Sequence, residues 1–218
     1  MLCDRPAHGP RARYYVYIVH DFTFGIFVID STALSVACTS GRQLSRAVLV
    51  DAYSELGDAV DAAVNALPER DFIGRFKALG RAVRTWGLRE PARYGLLFGS
   101  PVPGYQAPAG QTTTQGTRVI YRLIDILDGA HRAGELTEAA LTAVVPSALS
   151  ADLEAISSEL GLTMPDELQA NGALVWTSIF GAVSFEVFGQ YGPDTFRARE
   201  ELFEHHLTVL AGVAGLDA

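Results

Sequence analysis

Residues 173–188 read ALVWTSIFGAVSFEVF, and how this run is covered decides the fold. Apart from Glu186 and a few hydroxyls it has no polar face, so as a helix it must be covered on every side, by the core, by a second subunit, or by both. The run is too short, and carries a glutamate, to cross a bilayer, which takes about 20 apolar residues. Just upstream, Thr163 and Asp166 have the Ser/Thr-x-x-acid form of a capping box, which predicts one helix from there to about Gln190. After YGPD, Phe196, Phe203, Leu207 and Leu210 fall on one line with Leu202 and Val209 nearby. Arg197, Glu201 and Glu204 lie opposite, so a last amphipathic helix is expected.

Toward the N-terminus the same helical period continues back to Gln43. QLSRAVLVDAYSELGDAVDAAVNAL places Leu44, Val48, Leu49, Leu56, Val60 and Val64 mostly three or four apart, closed by Pro68. A helix of that length spans about 38 Å at ~1.5 Å per residue, enough to link two parts of a molecule. DFIGRFKALGRAVRTWGL puts Phe72, Phe76, Leu79, Val83 and Trp86 on one side of a second helix, and Pro91 opens a short third one running to Phe98. The prolines and glycines that follow, in GSPVPGYQAPAG, cannot continue a helix, so it must end near Gly99. Periodicity resumes in GTRVIYRLIDILDGAHRAG, with Val119, Tyr121, Leu123, Ile124 and Leu127 alternating with charges. Thr137 and Ser150 are candidate caps for shorter pieces after it. From residue 43 onward the reading is all-α. YYVYIV and FTFGIFVI, before it, are β-branched and aromatic, which on propensity alone suggests strands.

Charge and cysteine content narrow the function. The net charge is -8, but residues 1–46 hold five arginines against three aspartates, so a mildly basic front precedes an acidic body. Two cysteines, Cys3 and Cys38, do not make a disulfide framework or a zinc-site spacing, which points to a reducing cytoplasm. His20, Asp21 and Asp30 interrupt the only other long apolar stretch, so no membrane span is expected. Dinucleotide, Walker, nucleophile-elbow and HExxH motifs are absent. Glu201 and His205 stand one helical turn apart, a two-ligand metal face at most and more simply a solvated helix side. No enzyme, cofactor or metal site is expected.

Three stretches, in order along the chain, resemble one family. RAVLVDAYSELGDAVDAA, REPARYGLLFGSPVPGY and WTSIFGAVSFEVFGQY are similar to the first helix of the effector domain, the mid-domain Pro-Tyr-Phe-Gly-Ser-Pro motif and the dimerising helix of TetR/AcrR-type transcriptional regulators. The nearest subgroup carries a Trp…His-Gly signature in its effector domain. Trp176 and Gly181 match it, with Phe180 at the histidine position. The resemblance implies an all-helical homodimer. It divides the chain into a degenerate three-helix helix-turn-helix head, residues 1–45, and a helical effector-binding and dimerisation domain, residues 46–218. It implies operator DNA as partner. Ser31, Thr32, Ala33 and Leu34 keep the family's recognition-helix register relative to Val50-Asp51-Ala52-Tyr53, whereas Ser35 and Cys38 replace the usual tyrosine and phenylalanine. In that register Ser31, Thr32 and Ser35 face bases while Arg42 and Arg46 lie near the backbone; Ser31 and Thr32 also suit a plain helix N-cap. So few basic residues imply modest affinity and a shallow salt slope. The resemblance also implies an effector cavity beside the Phe-Gly break. Phe98, Tyr105, Tyr121, Trp176 and Phe180 would line it, or simply pack in the core, and without a convergent Arg or Lys it would favour a neutral, apolar effector. The competing expectation is an effector-binding or interaction protein on the same body whose head no longer reads DNA.

Overall fold

A computed structural model of the chain describes the backbone at residues 14–20, 23–29, 31–99, 115–137, 141–142 and 144–216, with side chains described from Val48 onward. Two strands, β1 (Tyr14–His20) and β2 (Thr23–Ile29), pair antiparallel, with Tyr14 opposite Ile29 and His20 opposite Thr23. Strand propensity therefore prevails here, and the helices that a three-helix head would place at these positions do not form. From residue 31 on, the described chain is all-α.

Helix α1 (Ser31–Asn65) is longer than the period from Gln43 predicts. Its 35 residues amount to about 52 Å of rod at ~1.5 Å per residue, running unbroken through the boundary expected at residue 45. Leu49, Ala52, Leu56, Val60 and Val64 form its buried stripe. Helix α2 (Phe72–Arg89) follows, opened by Asp71, whose carboxylate accepts from the Gly74 N–H at 2.9 Å. All five residues of its expected apolar side are buried. Helix α3 (Pro91–Phe98) starts on its proline, whose missing N–H is harmless there, and ends at Gly99.

Helix α4 (Arg118–Ala133) and helix α5 (Ser147–Leu160) both terminate at left-handed glycines, Gly134 at φ 69° and Gly161 at φ 67°, where a Cβ would be strained. Ser150 lies inside α5 instead of capping it, because Pro146 already sets the entry. Helix α6 (Asp166–Val187) and helix α7 (Arg199–Val213) complete the body. Phe196 falls just before α7 instead of on its apolar line, and is exposed.

The capping box expected at Thr163 is not what opens α6. Thr163 is turned toward α4, where Oδ1 of buried Asp128 accepts from Thr163 N, Thr163 Oγ1 and Met164 N at 2.8, 2.8 and 3.0 Å. The other oxygen, Oδ2, pairs with Arg132 at 2.9 Å. A buried carboxylate that gathers three donors from one turn fixes that turn more firmly than a local cap would. The partner of Asp166 is the Ser150 hydroxyl of α5.

Helix α2 is the hub, touching α1, α3, α4, α6 and α7. Close approach is permitted at Gly80 and Gly87. A Cβ on Gly80 would sit 2.4 Å from Leu207 Cδ2, and one on Gly87 would sit 2.8 Å from the Tyr94 ring. The core thus runs from Leu56 and Val60 of α1 through Phe76 and Val83 to Ile179, Val183 and Leu207.

Candidate functional site

Two features of the body bear on function: a cluster of aromatic rings where α1, α3 and α6 meet, and an uncovered apolar face on α6 and α7.

The cluster begins at Tyr94, the one fully buried residue of α3. Its hydroxyl donates to the Phe180 carbonyl at 3.0 Å and shares a 3.0 Å hydrogen bond with Ser184 Oγ, so α3 is pinned to α6 at a defined register. Burial pushes the Tyr94 phenol up to about 12, and the Ser184 hydrogen bond only partly opposes it. One turn on, Phe98 lies 4.9 Å from the Tyr94 ring and 4.6 Å from Phe180, which in turn lies 4.3 Å from Trp176. Tyr53 of α1 meets Phe98 edge-on at 6.4 Å, and burial raises its phenol pKa too. Spacings of this kind are those of favourable ring pairs.

Of the residues expected to line a cavity, Phe98, Trp176 and Phe180 are therefore brought into contact. Tyr121 is 43% exposed on α4 and takes no part in the described ring contacts, and Tyr105 lies outside the described residues. Tyr53, Tyr94 and Phe188, the last 5.9 Å from Tyr94, belong to the cluster although the sequence reading left them out. The signal for Tyr94 was its place one helical turn before Phe98.

Cations near the cluster are matched by carboxylates on α1. Arg93 pairs with Asp51 and Glu55, Arg118 with Asp58 and Asp61, and Arg122 with Asp61. Each of these arginines therefore has a carboxylate partner on α1.

On α6 the opposite side is bare. Leu174 and Phe185 are exposed at 53% and 48%, and Val209 of α7 at 51%. A Cβ built on Gly181 meets nothing within 4 Å. Between the helices runs an open groove of about 570 Å³ floored by Gly181, Ala182, Phe185, Val209 and Leu210, with Ser178, Tyr191, His205 and His206 also lining it. Its edge is stiffened by Tyr191 between Phe185 and Phe196, and by Arg199, which donates to the Gly192 carbonyl at 2.6 Å. An apolar helix covered on one side only, in a chain of this size, marks an interaction surface.

Of the DNA-facing candidates, Ser31, Thr32, Ser35, Arg42 and Arg46 all fall on the N-terminal half of α1, with side chains outside the described residues. Among the described residues no group of three or more His, Cys, Asp or Glu is placed to hold a metal ion, and no helix is long and apolar enough to cross a membrane.

Residues 76–210, from α2 into the last turn of α7, match the family described as tetracyclin repressor-like, C-terminal domain. The chain belongs to the TetR family. Its relatives include HTH-type transcriptional regulators of Mycobacterium bovis and of two Mycobacterium tuberculosis strains. Each is 37% identical over 184 residues, which cover 84% of this chain and 77% of the relative. The TetR match contains α3, the aromatic cluster apart from Tyr53, and the whole α6–α7 groove, so both features belong to the part of the chain that the family defines.

Proposed function

We propose that this TetR-family chain is a ligand-responsive, non-enzymatic transcriptional regulator of the cytoplasm, a repressor that binds operator DNA as a homodimer. The observation that carries the reading is the bare α6–α7 face, which lies within the matched residues and leaves Phe185 and Val209 about half exposed and Gly181 open in one chain. A second copy packed on that face by two-fold symmetry would bury it in both chains at once. Two N-terminal heads, residues 1–45, would then present Ser31, Thr32 and Ser35 to bases and Arg42 and Arg46 to phosphates, about one DNA turn, roughly 34–36 Å, apart or a multiple of it.

The effector is a small neutral molecule held by the rings of Phe98, Trp176 and Phe180, with Tyr105 and Tyr121 at the rim. An apolar ligand fits because the nearby arginines are matched by α1 carboxylates.

One observation favours the second reading, an effector-binding or interaction protein that has lost DNA binding. Residues 14–20 pair antiparallel with residues 23–29 where the head's helices are expected. Gel-shift titration against the DNA upstream of its own gene, repeated at rising salt, separates the two. A shift at low salt that weakens shallowly with salt supports the regulator. No shift at low salt sinks operator binding and leaves the second reading.

A further inference from the structure

We propose that α5 and the segment just before it form a docking surface for a protein partner that presents an amphipathic helix with a cationic flank. The charge pattern is the first reason. Residues 133–196 hold nine carboxylates and no Lys, Arg or His. Two of the nine are matched across the fold, Glu135 by Arg70 and Glu186 by Arg84. Asp152, Glu154 and Glu159 of α5 form no ion pair among the described residues.

Carboxylates by themselves would make only a solvated face, but α5 also leaves apolar side chains outside. Of its 14 residues only Leu153 is buried, and its main neighbour is α6. Leu149 and Ile156 are exposed at 40% and 43%. Seven residues apart, these two lie within about 20° of each other around the helix, and Asp152 and Glu159 make a second row about 60° away. A helix laid along α5 would meet an apolar seam flanked by charge at heptad spacing.

The surface continues past the start of α5. Val144 is 93% exposed, and an open hollow of about 520 Å³ runs between Leu141, Val144 and Val145 on one side and Pro165, Asp166 and Glu167 at the start of α6 on the other. The Ser150 hydroxyl, donating to the Asp166 carboxylate, ties α5 to that second side. No residue of α5 lines the α6–α7 groove, so the two surfaces are separate.

The sign of the charge selects the occupant. DNA and anionic lipid headgroups are repelled, and a second copy of this chain would set carboxylates against carboxylates. A partner helix with Leu or Ile on one face and Lys or Arg beside them satisfies both rows: its cations meet Asp152 and Glu159, and an apolar side chain enters the hollow.

The test uses the full chain and a fluorescein-labelled helical peptide of two Leu-Lys-Lys-Leu-Leu-Lys-Leu repeats, read by anisotropy at roughly 150 mM NaCl. Native chain should bind in the micromolar range. Leu149→Ser with Ile156→Ser, and Asp152→Asn with Glu159→Gln, should each weaken binding about fivefold or more. Glu154→Gln with Glu201→Gln removes the same charge away from the seam and should leave affinity unchanged. Circular dichroism should show native helix content throughout, and the Asp152/Glu159 variant, which alters only exposed positions, decides the matter if the apolar variant does not fold. No binding by the native chain, equal weakening in all three variants, or native-like affinity in the Asp152/Glu159 variant would overturn the proposal. So would a native dimer that the Leu149/Ile156 variant dissociates in sedimentation, since the face would then be a contact between copies.

Discussion

Arg84 of α2 and Glu186 of α6 face each other as a two-pronged pair, Nε to Oε2 and Nη2 to Oε1, both at 2.7 Å, with side-chain exposures of only 17% and 7%. Glu186 is the single charge in the apolar run 173–188, and it is spent inward. Arg84 also lies over the Phe203 ring of α7 at 5.6 Å, so one guanidinium ties three helices together. The outer side of α6 is left without charge as a result. Removing one partner strands the other in a dry site, so Glu186→Ala should destabilise the fold by about 3 kcal/mol, against less than ~1 kcal/mol for an exposed pair such as Arg70–Glu135. Urea unfolding of Glu186→Ala and Glu135→Ala side by side checks this; equal losses would refute it.

Tyr94→Phe should keep the ring packing and lose the hydroxyl's two hydrogen bonds, leaving the Phe180 carbonyl short of a donor at a cost of about 1–2 kcal/mol. The pH dependence has a definite sign. The folded phenol is pushed up from 10.0 to about 12, so its contribution is fully present below pH 10 and is lost as pH rises through 12. Native protein should therefore lose stability across that window more steeply than Tyr94→Phe. Parallel slopes in thermal melts between pH 10 and 12 would show that Tyr94 is not protected.

Gly181→Arg and Val209→Glu change the bare face without touching the core, since a Cβ at 181 meets nothing and Val209 is half exposed. Both variants should keep native helix content and melt within ~0.5 kcal/mol of native as single chains. Sedimentation at micromolar concentration should find the native chain dimeric and both variants monomeric. A native monomer would sink the dimer reading of this face.

Gly80→Ala separates helix propensity from packing. Alanine in mid-helix is worth up to ~1 kcal/mol over glycine, but its Cβ would lie 2.4 Å from Leu207 Cδ2 in the core, and overpacking of that kind costs about 1–3 kcal/mol. Net destabilisation is expected by chemical denaturation. Repacking with Leu207→Val should recover part of it, and a stabilised Gly80→Ala would contradict the α2–α7 approach described.

Asp128→Ala removes the acceptor that holds the turn before α6. Three donors at Thr163 and Met164 lose their partner, so a loss of about 2–3 kcal/mol is expected, with faster amide exchange at Thr163 and Met164 as the local mark. Thr163→Ala alone should lose less, because the two backbone donors remain.

What the sequence determined by itself was whatever repeats over one or two helical turns. The spacing from Phe72 to Trp86 named the buried side of α2, Pro91 and Gly99 bracketed α3, and the apolar run 173–188 called for cover on every side. These are local signals, since the period of a helix decides which residues share a face. Strand-forming residues in YYVYIV and FTFGIFVI were legible too, and the pairing of β1 with β2 follows them and not the helical head implied by resemblance.

Only the tertiary structure decided the partners that lie far apart in the chain. It joined Arg84 to Glu186, laid Arg118 across Gly57, drew Thr163 to Asp128 instead of to a local cap, and put Tyr94 and Tyr53 among the rings while leaving Tyr121 on the surface. The reason is physical. A charge, a hydroxyl or a ring takes its partner from whatever the packed helices bring within about 3–6 Å, and no periodicity along the chain encodes that distance.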